Sequence, residues 1–258
     1  MNKLIQFAIT DILKNKIVIA FTIFLASIAW ATFLLEDSST KGIATLLNII
    51  LLIVPLFSVV FSTIYIYNSS EFIELLLSQP IKRTTIWLSI LLGLLACLTI
   101  SITAAIGLPL IIFTESDLSI LSVLLILMAV LIAGVFTAIA TLCSILSRDK
   151  AKGIGYAIII WLSLAFFFDV LILFLLFQFA DYPIEKIAVI LVSLNPIDLA
   201  RIFILLKLDI SAMLGFTGAV FKSFFGNSFG MVLASLILVL WIVIPVLIST
   251  KIFNKKDL

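Results

Sequence analysis

The sequence contains few side chains that could carry out covalent or metal chemistry. It has no histidine, which removes serine–histidine and cysteine–histidine nucleophile pairs and histidine-ligated zinc or haem. Its two cysteines, Cys97 and Cys143, stand apart in apolar runs without a CxxC partner, so we expect them to pack as small residues. We therefore predict no catalytic residue and no metal site in this chain.

The sequence also lacks a phosphate-binding loop. Residues 218–223 read GAVFKS, without the glycine directly before Lys222 that lets backbone amides wrap a phosphate. We therefore expect this chain to bind no cofactor. Any ATP that its function requires would be bound by a separate polypeptide.

One carboxylate, Asp169, stands inside an apolar run, beside three consecutive phenylalanines at 166–168. An acid in lipid is costly and is a functional candidate by default. Alternatively, Asp169 lies in the outer half of its span and faces other helices or a wet vestibule. The sequence leaves both interpretations open.

The elements that position these residues are predicted to be membrane helices. Hydrophobic residues make up 64% of the 258 residues, mean hydropathy is +1.39 and only 12% of residues are charged. Apolar runs of about 20 residues are typical of spanning helices, and continuous runs exclude a barrel. We predict an all-α polytopic membrane protein with six spans, at 17–35, 43–67, 86–113, 120–146, 154–177 and 231–250.

Residues 1–16 precede the first span and show a helical period of apolar residues. This pattern, with polar residues on the other side, predicts an amphipathic helix lying on the bilayer surface. The predicted organisation is therefore an interfacial helix at 1–16, five spans within 17–178, an extracytoplasmic helical segment at 179–230, and the last span with a cytoplasmic tail at 231–258.

The positive-inside rule predicts the orientation. With the N-terminus inside, most of the 16 basic residues are cytoplasmic: Lys3, Lys14, Lys16, Lys82, Arg83, Arg148, Lys150, Lys152, Lys251, Lys255 and Lys256. Both termini would then lie in the cytoplasm of a bacterium, with the chain in its inner membrane. The net charge of +2 reflects this topology, so we expect lipid contact and no nucleic-acid partner.

Residues 69–83, SSEFIELLLSQPIKR, form a polar-faced segment between two spans. Helical spacing over 69–79 predicts a short cytoplasmic helix along the membrane. One predicted face carries Glu71, Glu74 and Ser78, and another carries Phe72, Leu75, Leu76 and Gln79. The alternative is an interfacial turn with solvated charges.

The ends of this helix are also predicted from the sequence. Asn68 and Glu71 have the spacing of a capping box, so we expect Asn68 to cap the helix. Pro80 would stop it, and Lys82 and Arg83 would lie among the lipid headgroups.

Residues 187–206 are apolar enough to suggest a seventh span, but polar residues at its centre are costly in lipid. We reject that span and predict a helix starting at Asn195 and Pro196, with Asn195 as the cap and Asp198 near its positive end. Asp198 and Arg201 are three residues apart and can pair. Either this cluster only braces its helix, or, together with Asp209, it forms a surface for a periplasmic partner.

Residues 74–83, ELLLSQPIKR, resemble the coupling-helix motif of ABC-2 type permeases, where an acid precedes Leu-Leu and Pro-x-x-Arg follows. Within that class, residues 194–202, LNPIDLARI, and residues 209–226 resemble the permease that serves nitrous oxide reductase maturation. The resemblance covers nearly the whole chain. The motif at residues 74–83 is specific only to the superfamily. The segments at residues 194–202 and 209–226 suggest the subfamily.

This resemblance implies a homodimer of a non-catalytic permease, a cytoplasmic ABC ATPase dimer that binds ATP, and a periplasmic accessory protein. Together they would support assembly of the copper–sulfur centre of the reductase. It also implies that Glu71, Phe72, Glu74, Leu75, Pro80 and Arg83 form the ATPase-docking segment. One rival is a generic ABC-2 exporter of a lipid, peptide or drug. The other is an intramembrane enzyme, which is disfavoured because the chain has no histidine and its predicted spans have no paired acids.

Overall fold

The computed structural model describes residues 2–114, 118–179, 185–208 and 228–255. Throughout these residues the chain is helical. Its helices are α1 (Asn2–Leu13), α2 (Lys16–Leu35), α3 (Ser39–Asn68), α4 (Ser70–Leu77), α5 (Arg83–Phe113), α6 (Ser119–Leu146), α7 (Lys150–Leu162), a π-helical turn (Ser163–Phe167), α8 (Phe168–Gln178), α9 (Glu185–Leu194), α10 (Pro196–Lys207) and α11 (Ser228–Lys255).

The six predicted spans are confirmed as six helices long and apolar enough to cross a membrane. Several of these helices are longer than the spans predicted from hydropathy, because polar residues continue the helix beyond the apolar run. Helix α3 starts at Ser39 because the Ser38 side chain accepts a hydrogen bond from the backbone N–H of Lys41. Its 30 residues rise about 45 Å, longer than the ~30 Å of hydrocarbon in a bilayer.

The spans alternate in direction, so the connections collect at two ends of the bundle. At one end, the Tyr67 hydroxyl donates to the Ser147 carbonyl at 2.9 Å, and Lys150 Nζ donates to Asn68 Oδ1 at 2.7 Å. We call this the α4 end. At the opposite end, which holds α10, the Ser39 hydroxyl donates to the Phe113 carbonyl at 2.9 Å.

Helices α3 and α6 form the centre of the bundle. Small and polar side chains on α6 are almost fully buried, including Thr137 at 0%, Ala138 at 1% and Thr141 at 1% exposure, which allows close approach of neighbouring helices. Helices α2, α7, α8 and α11 surround them and expose many large apolar side chains, as expected of helices facing lipid.

Helix α1, which was predicted to lie on the bilayer surface, packs against the protein. Ala8 and Ile12 are buried within the protein, and Ala8 packs directly over Gly93 of α5. The amphipathic period was predicted correctly, but its apolar stripe also packs against α5 because Gly93 leaves room for the α1 backbone. Helix α1 is thus part of the α4 end.

The apolar segment around Asn195 is two short helices, α9 and α10, as the rejection of a seventh span predicted. The chain breaks between them at Asn195, which caps α10. Helix α10 packs against α3, α6 and α11, so most of its residues are buried. It is inserted among the spans at one end of the bundle.

Candidate functional site

Helix α4 begins directly after the long helix α3, and Ser69 occupies its N-cap position without a capping hydrogen bond from its side chain. The predicted capping box is therefore wrong. Asn68 is the last residue of α3, and its side-chain oxygen instead accepts a hydrogen bond from Lys150. Because this bond joins α3 to α7, Asn68 links two spans beside α4.

Helix α4 has one buried and one exposed face. Ile73 and Leu76 are 5% and 6% exposed and anchor the helix to the bundle. Phe72 and Leu75 are 37% and 57% exposed. The predicted grouping of Leu76 with Phe72 and Leu75 is wrong, because Leu76 is buried against the bundle with Ile73 although it lies only one turn from Phe72.

The predicted docking residues on α4 lie on its accessible surface. Glu71 and Glu74 are exposed beside Phe72 and Leu75, so acidic and apolar groups alternate along one helix. An exposed apolar pair bordered by charges is typical of a protein contact surface.

Helix α1 contacts α4 through Phe72 and the end of α3 through Tyr65, and the sequence predicted neither contact. The rings of Phe7 and Phe72 lie 5.2 Å apart between centroids. The Tyr65 hydroxyl donates to Asp11 Oδ2 at 3.1 Å. Helical period alone shows which α1 residues share a face but not which helix that face meets. These contacts place α1 and α4 in one continuous surface.

The chain leaves α4 through a tight turn in which the N–H of Ile81 donates to the carbonyl of Gln79 at 2.7 Å. Pro80 is exposed in this turn, and Arg83 is the exposed first residue of α5. Proline cannot donate a backbone hydrogen bond, which favours the end of α4 at this point. Both residues therefore border the exposed face of α4, as predicted.

A cavity of about 480 Å³ lies behind α4. Its walls come from the ends of α3, α5, α6 and α11 as well as from α4 itself. Glu74 and Arg148 line it together with apolar side chains that include Trp87 and Phe253. Sequence analysis missed this cavity because it is assembled from five separate helix ends.

A polar network lies at the opposite end of the bundle, where Asn195 caps α10. Asn195 Oδ1 accepts from the N–H of Ile197 at 3.1 Å, as predicted for a cap. Its Nδ2 donates to Asp198 Oδ2 at 2.6 Å and to the carbonyl of Leu164 at 2.8 Å. Leu164 belongs to the π-helical turn, so Asn195 connects α10 to the fifth span.

Arg201 joins two carboxylates in this network. Its NH1 group lies 3.0 Å from Asp198 Oδ1, as the three-residue spacing predicted, and 3.3 Å from Asp169 Oδ2. Asp169 is roughly 28 Å along the helix from Lys150, near the far edge of the hydrocarbon. It therefore lies in the half of its span away from the α4 end and faces another helix, α10, as part of the second interpretation expected.

Burial raises the pKa of the Asp198 carboxyl to about 7, and the negative charge of Asp169 adds to this rise while Arg201 opposes it. Asp198 therefore holds a proton more readily than an ordinary aspartate does. The π-helical turn, a feature often found at functional sites, ends two residues before Asp169.

The residues predicted as a periplasmic partner surface occupy different positions. Asn195 and Asp198 are 0% and 5% exposed, so they face the protein interior, as a helix brace would. Arg201 has a side chain 29% exposed. Asp209 lies outside the described residues.

Within the described residues, the bundle and the short amphipathic helix at one end define a polytopic helical membrane protein. A sequence-family model described as ABC-2 family transporter protein matches residues 6–258. The chain therefore belongs to the ABC-2 family of transporter membrane proteins. A comparison with curated proteins gives no match. Membership implies that the chain associates with ABC ATPase subunits.

Proposed function

We propose that this chain is a non-catalytic permease subunit that couples ATP hydrolysis by separate subunits to a process at the far side of the membrane. The observation that carries this proposal is the exposed face of α4, where Phe72 and Leu75 stand beside Glu71 and Glu74. This face lies outside the spans and on a helix anchored by its opposite side, as a lever requires.

The packing provides a route for force across the bundle. Helix α4 is continuous with α3, which packs along α6, and both of these helices contact α10. Through Asn195 and Arg201, α10 is bonded to the fifth span at Leu164 and Asp169. A tilt of α3 that starts at α4 would therefore move α10 and the fifth span together.

We further propose that the process is maturation of the copper–sulfur centre of nitrous oxide reductase. The support is the resemblance of residues 194–202 and 209–226 to the permease of that system. In this proposal the permease is a homodimer in a bacterial inner membrane. A periplasmic accessory protein would bind near Arg201 and Asp209, with Asn195 and Asp198 supporting that region from inside.

Copurification of the ATPase tests the docking proposal. Glu74→Arg reverses a charge on the exposed face of α4. It should reduce the ATPase yield, because an ATPase surface that fits a carboxylate at position 74 would meet a positive charge instead. Lys41→Glu is the matched control, since it reverses an exposed charge at the opposite end of the bundle. Full ATPase yield with Glu74→Arg would contradict the proposal.

The maturation proposal has a separate test. Deletion of the gene for this chain should leave the reductase present but without the absorption of its copper–sulfur centre, and the wild-type gene should restore it. A normal centre after deletion would contradict the maturation role. A defect in export of a lipid, peptide or drug would then assign the chain to the generic exporters.

A further inference from the structure

The cavity behind α4 carries charges of opposite sign at positions that leave them unpaired with each other. Glu74 and Arg148 both line it, and no ion pair joins either of them to another residue in the described ranges. Both side chains are exposed at the cavity. A ligand could therefore meet a carboxylate and a guanidinium at the same time.

The remainder of the wall combines apolar and aromatic side chains with three serines, at positions 70, 144 and 147. Ile73, Trp87, Ile145 and Phe253 are buried residues that line the cavity. The Trp87 ring stacks on Phe253 with 4.5 Å between centroids, and its indole N–H donates to the Ser249 hydroxyl at 3.1 Å. These contacts fix the aromatic wall, so the cavity is formed without a ligand. Its volume of about 480 Å³ lies within the ~300–1,000 Å³ range of small-molecule sites.

The location of the cavity indicates where its ligand comes from. Its walls are the ends of α3, α5, α6 and α11, which are long and apolar enough to span a membrane, so we place it where such helices leave the hydrocarbon and meet the headgroup layer. Tryptophan is enriched at this depth of a membrane. Lipid is the most abundant molecule there that combines apolar chains with charged groups.

We propose that this cavity binds the headgroup of phosphatidylethanolamine from the leaflet at the α4 end. Arg148 binds the phosphate, for which a guanidinium offers two parallel donors. Glu74 accepts hydrogen bonds from the ethanolamine ammonium. The apolar wall contacts the glycerol and the first carbons of the acyl chains.

The two charges make this site selective among lipids. Phosphatidylglycerol offers the same phosphate but no cation for Glu74, whose carboxylate would then face an uncompensated anion. Phosphatidylcholine carries a cation with no N–H to donate. Since Glu74 also lies on the exposed face of α4, a bound headgroup would hold α4 against the ends of α5, α6 and α11.

Native mass spectrometry of the full-length permease in detergent, titrated with short-chain lipids, tests this site without any ATPase. Wild type should bind phosphatidylethanolamine at least several-fold more tightly than phosphatidylglycerol or phosphatidylcholine. Arg148→Gln should weaken binding about tenfold, the scale of one charge-assisted contact, and Arg148→Lys should weaken it less. Glu74→Gln should remove the preference over phosphatidylglycerol.

Lys152→Gln is the matched control, because it removes an exposed basic residue at the same end that does not line the cavity. It should bind like wild type. Equal binding of all three lipids to wild type, or equal losses from Arg148→Gln and Lys152→Gln, would show unselective lipid contact and overturn the proposal. Thermal unfolding of each variant identifies any that fails to fold, and Arg148→Lys then decides the outcome.

Discussion

Arg201 connects α10 to the fifth span by an ion pair, in addition to the hydrogen bond from Asn195 to Leu164, because one guanidinium nitrogen contacts both Asp169 and Asp198. The pair within α10 follows from the three-residue spacing of Asp198 and Arg201. The bond to Asp169 does not, since 32 residues separate it from Arg201 and no local period relates them. Sequence reasoning identified each of these residues but did not bring Asp169 into the cluster.

Removing the guanidinium should destabilise the protein. Arg201→Met leaves the buried Asp198 without its cation and should lower the free energy of unfolding by about 1–3 kcal/mol. Lys207→Met is the control, because Lys207 is an exposed basic residue of the same helix. The measurement is thermal unfolding in detergent. Equal midpoints for the two variants would mean that Arg201 does not brace α10.

The raised pKa of Asp198 predicts a pH dependence of stability. Between its ordinary value of 3.8 and about 7, the folded state keeps a proton that the unfolded state has released. Stability from this group is therefore present at low pH and is lost as pH rises through about 7. The unfolding midpoint of wild type, measured against Asp198→Asn from pH 5 to 8, should fall as pH rises. If the midpoints of wild type and Asp198→Asn changed in parallel with pH, the raised pKa would not belong to Asp198.

At the scale of elements, close packing at two glycines fixes the helices around α4. A β-carbon built on Gly93 would lie 2.6 Å from the Ala8 side chain of α1. One built on Gly153 of α7 would collide with the Tyr67 hydroxyl, which bonds to Ser147. Both distances are shorter than van der Waals contact, so an alanine at Gly93 would require α1 to move, and an alanine at Gly153 would require the Tyr67 side chain to move.

Gly93→Ala should loosen α1 from α5 and lower stability, because the Ala8 contact cannot yield without backbone movement. Gly107→Ala in the same helix is the control, since nothing lies within 4 Å of its built β-carbon. That substitution should be neutral or stabilise by up to ~1 kcal/mol. The measurement is proteolysis of α1 together with the unfolding midpoint. Similar behaviour of both variants would show that α1 does not depend on this packing.

The α7 pair offers an independent comparison at the same end. Gly153→Ala should displace Tyr67 and weaken the contact between α3 and α7, whereas Gly155→Ala meets nothing within 4 Å. The expected result is a lower unfolding midpoint for Gly153→Ala alone. If the two variants unfold alike, Tyr67 can rearrange and the helix contact is adaptable.

At the scale of the whole molecule, hydropathy and charge predict the six spans because both properties are summed over many residues. Helix starts were predicted less well: Ser39 and Arg83 begin their helices three or four residues before the apolar runs. The cavity behind α4 and the packing of α1 on α5 depend on which helices meet. The periodicity of a single sequence shows which residues share a helix face, but it does not show which two helices pack against each other.

The predicted orientation can be tested with single introduced cysteines, because Cys97 and Cys143 are buried and should react little. Asp37→Cys lies at the end opposite α4 and should react with a membrane-impermeant maleimide in intact cells. Lys152→Cys lies at the α4 end and should react only after permeabilisation. The reverse pattern would place α4 outside and remove it from any cytoplasmic ATPase.

The central claim is that α4 contacts the ATPase, and photo-crosslinking from Leu75 tests it most directly. A benzophenone amino acid at this exposed position should form a crosslink to the ATPase subunit in the assembled complex. The same group at Leu35, 83% exposed at the opposite end of the bundle, is the control and should give none. A crosslink from Leu75 alone is the result that the account predicts. No ATPase crosslink from Leu75, in a complex that retains the ATPase, would contradict it.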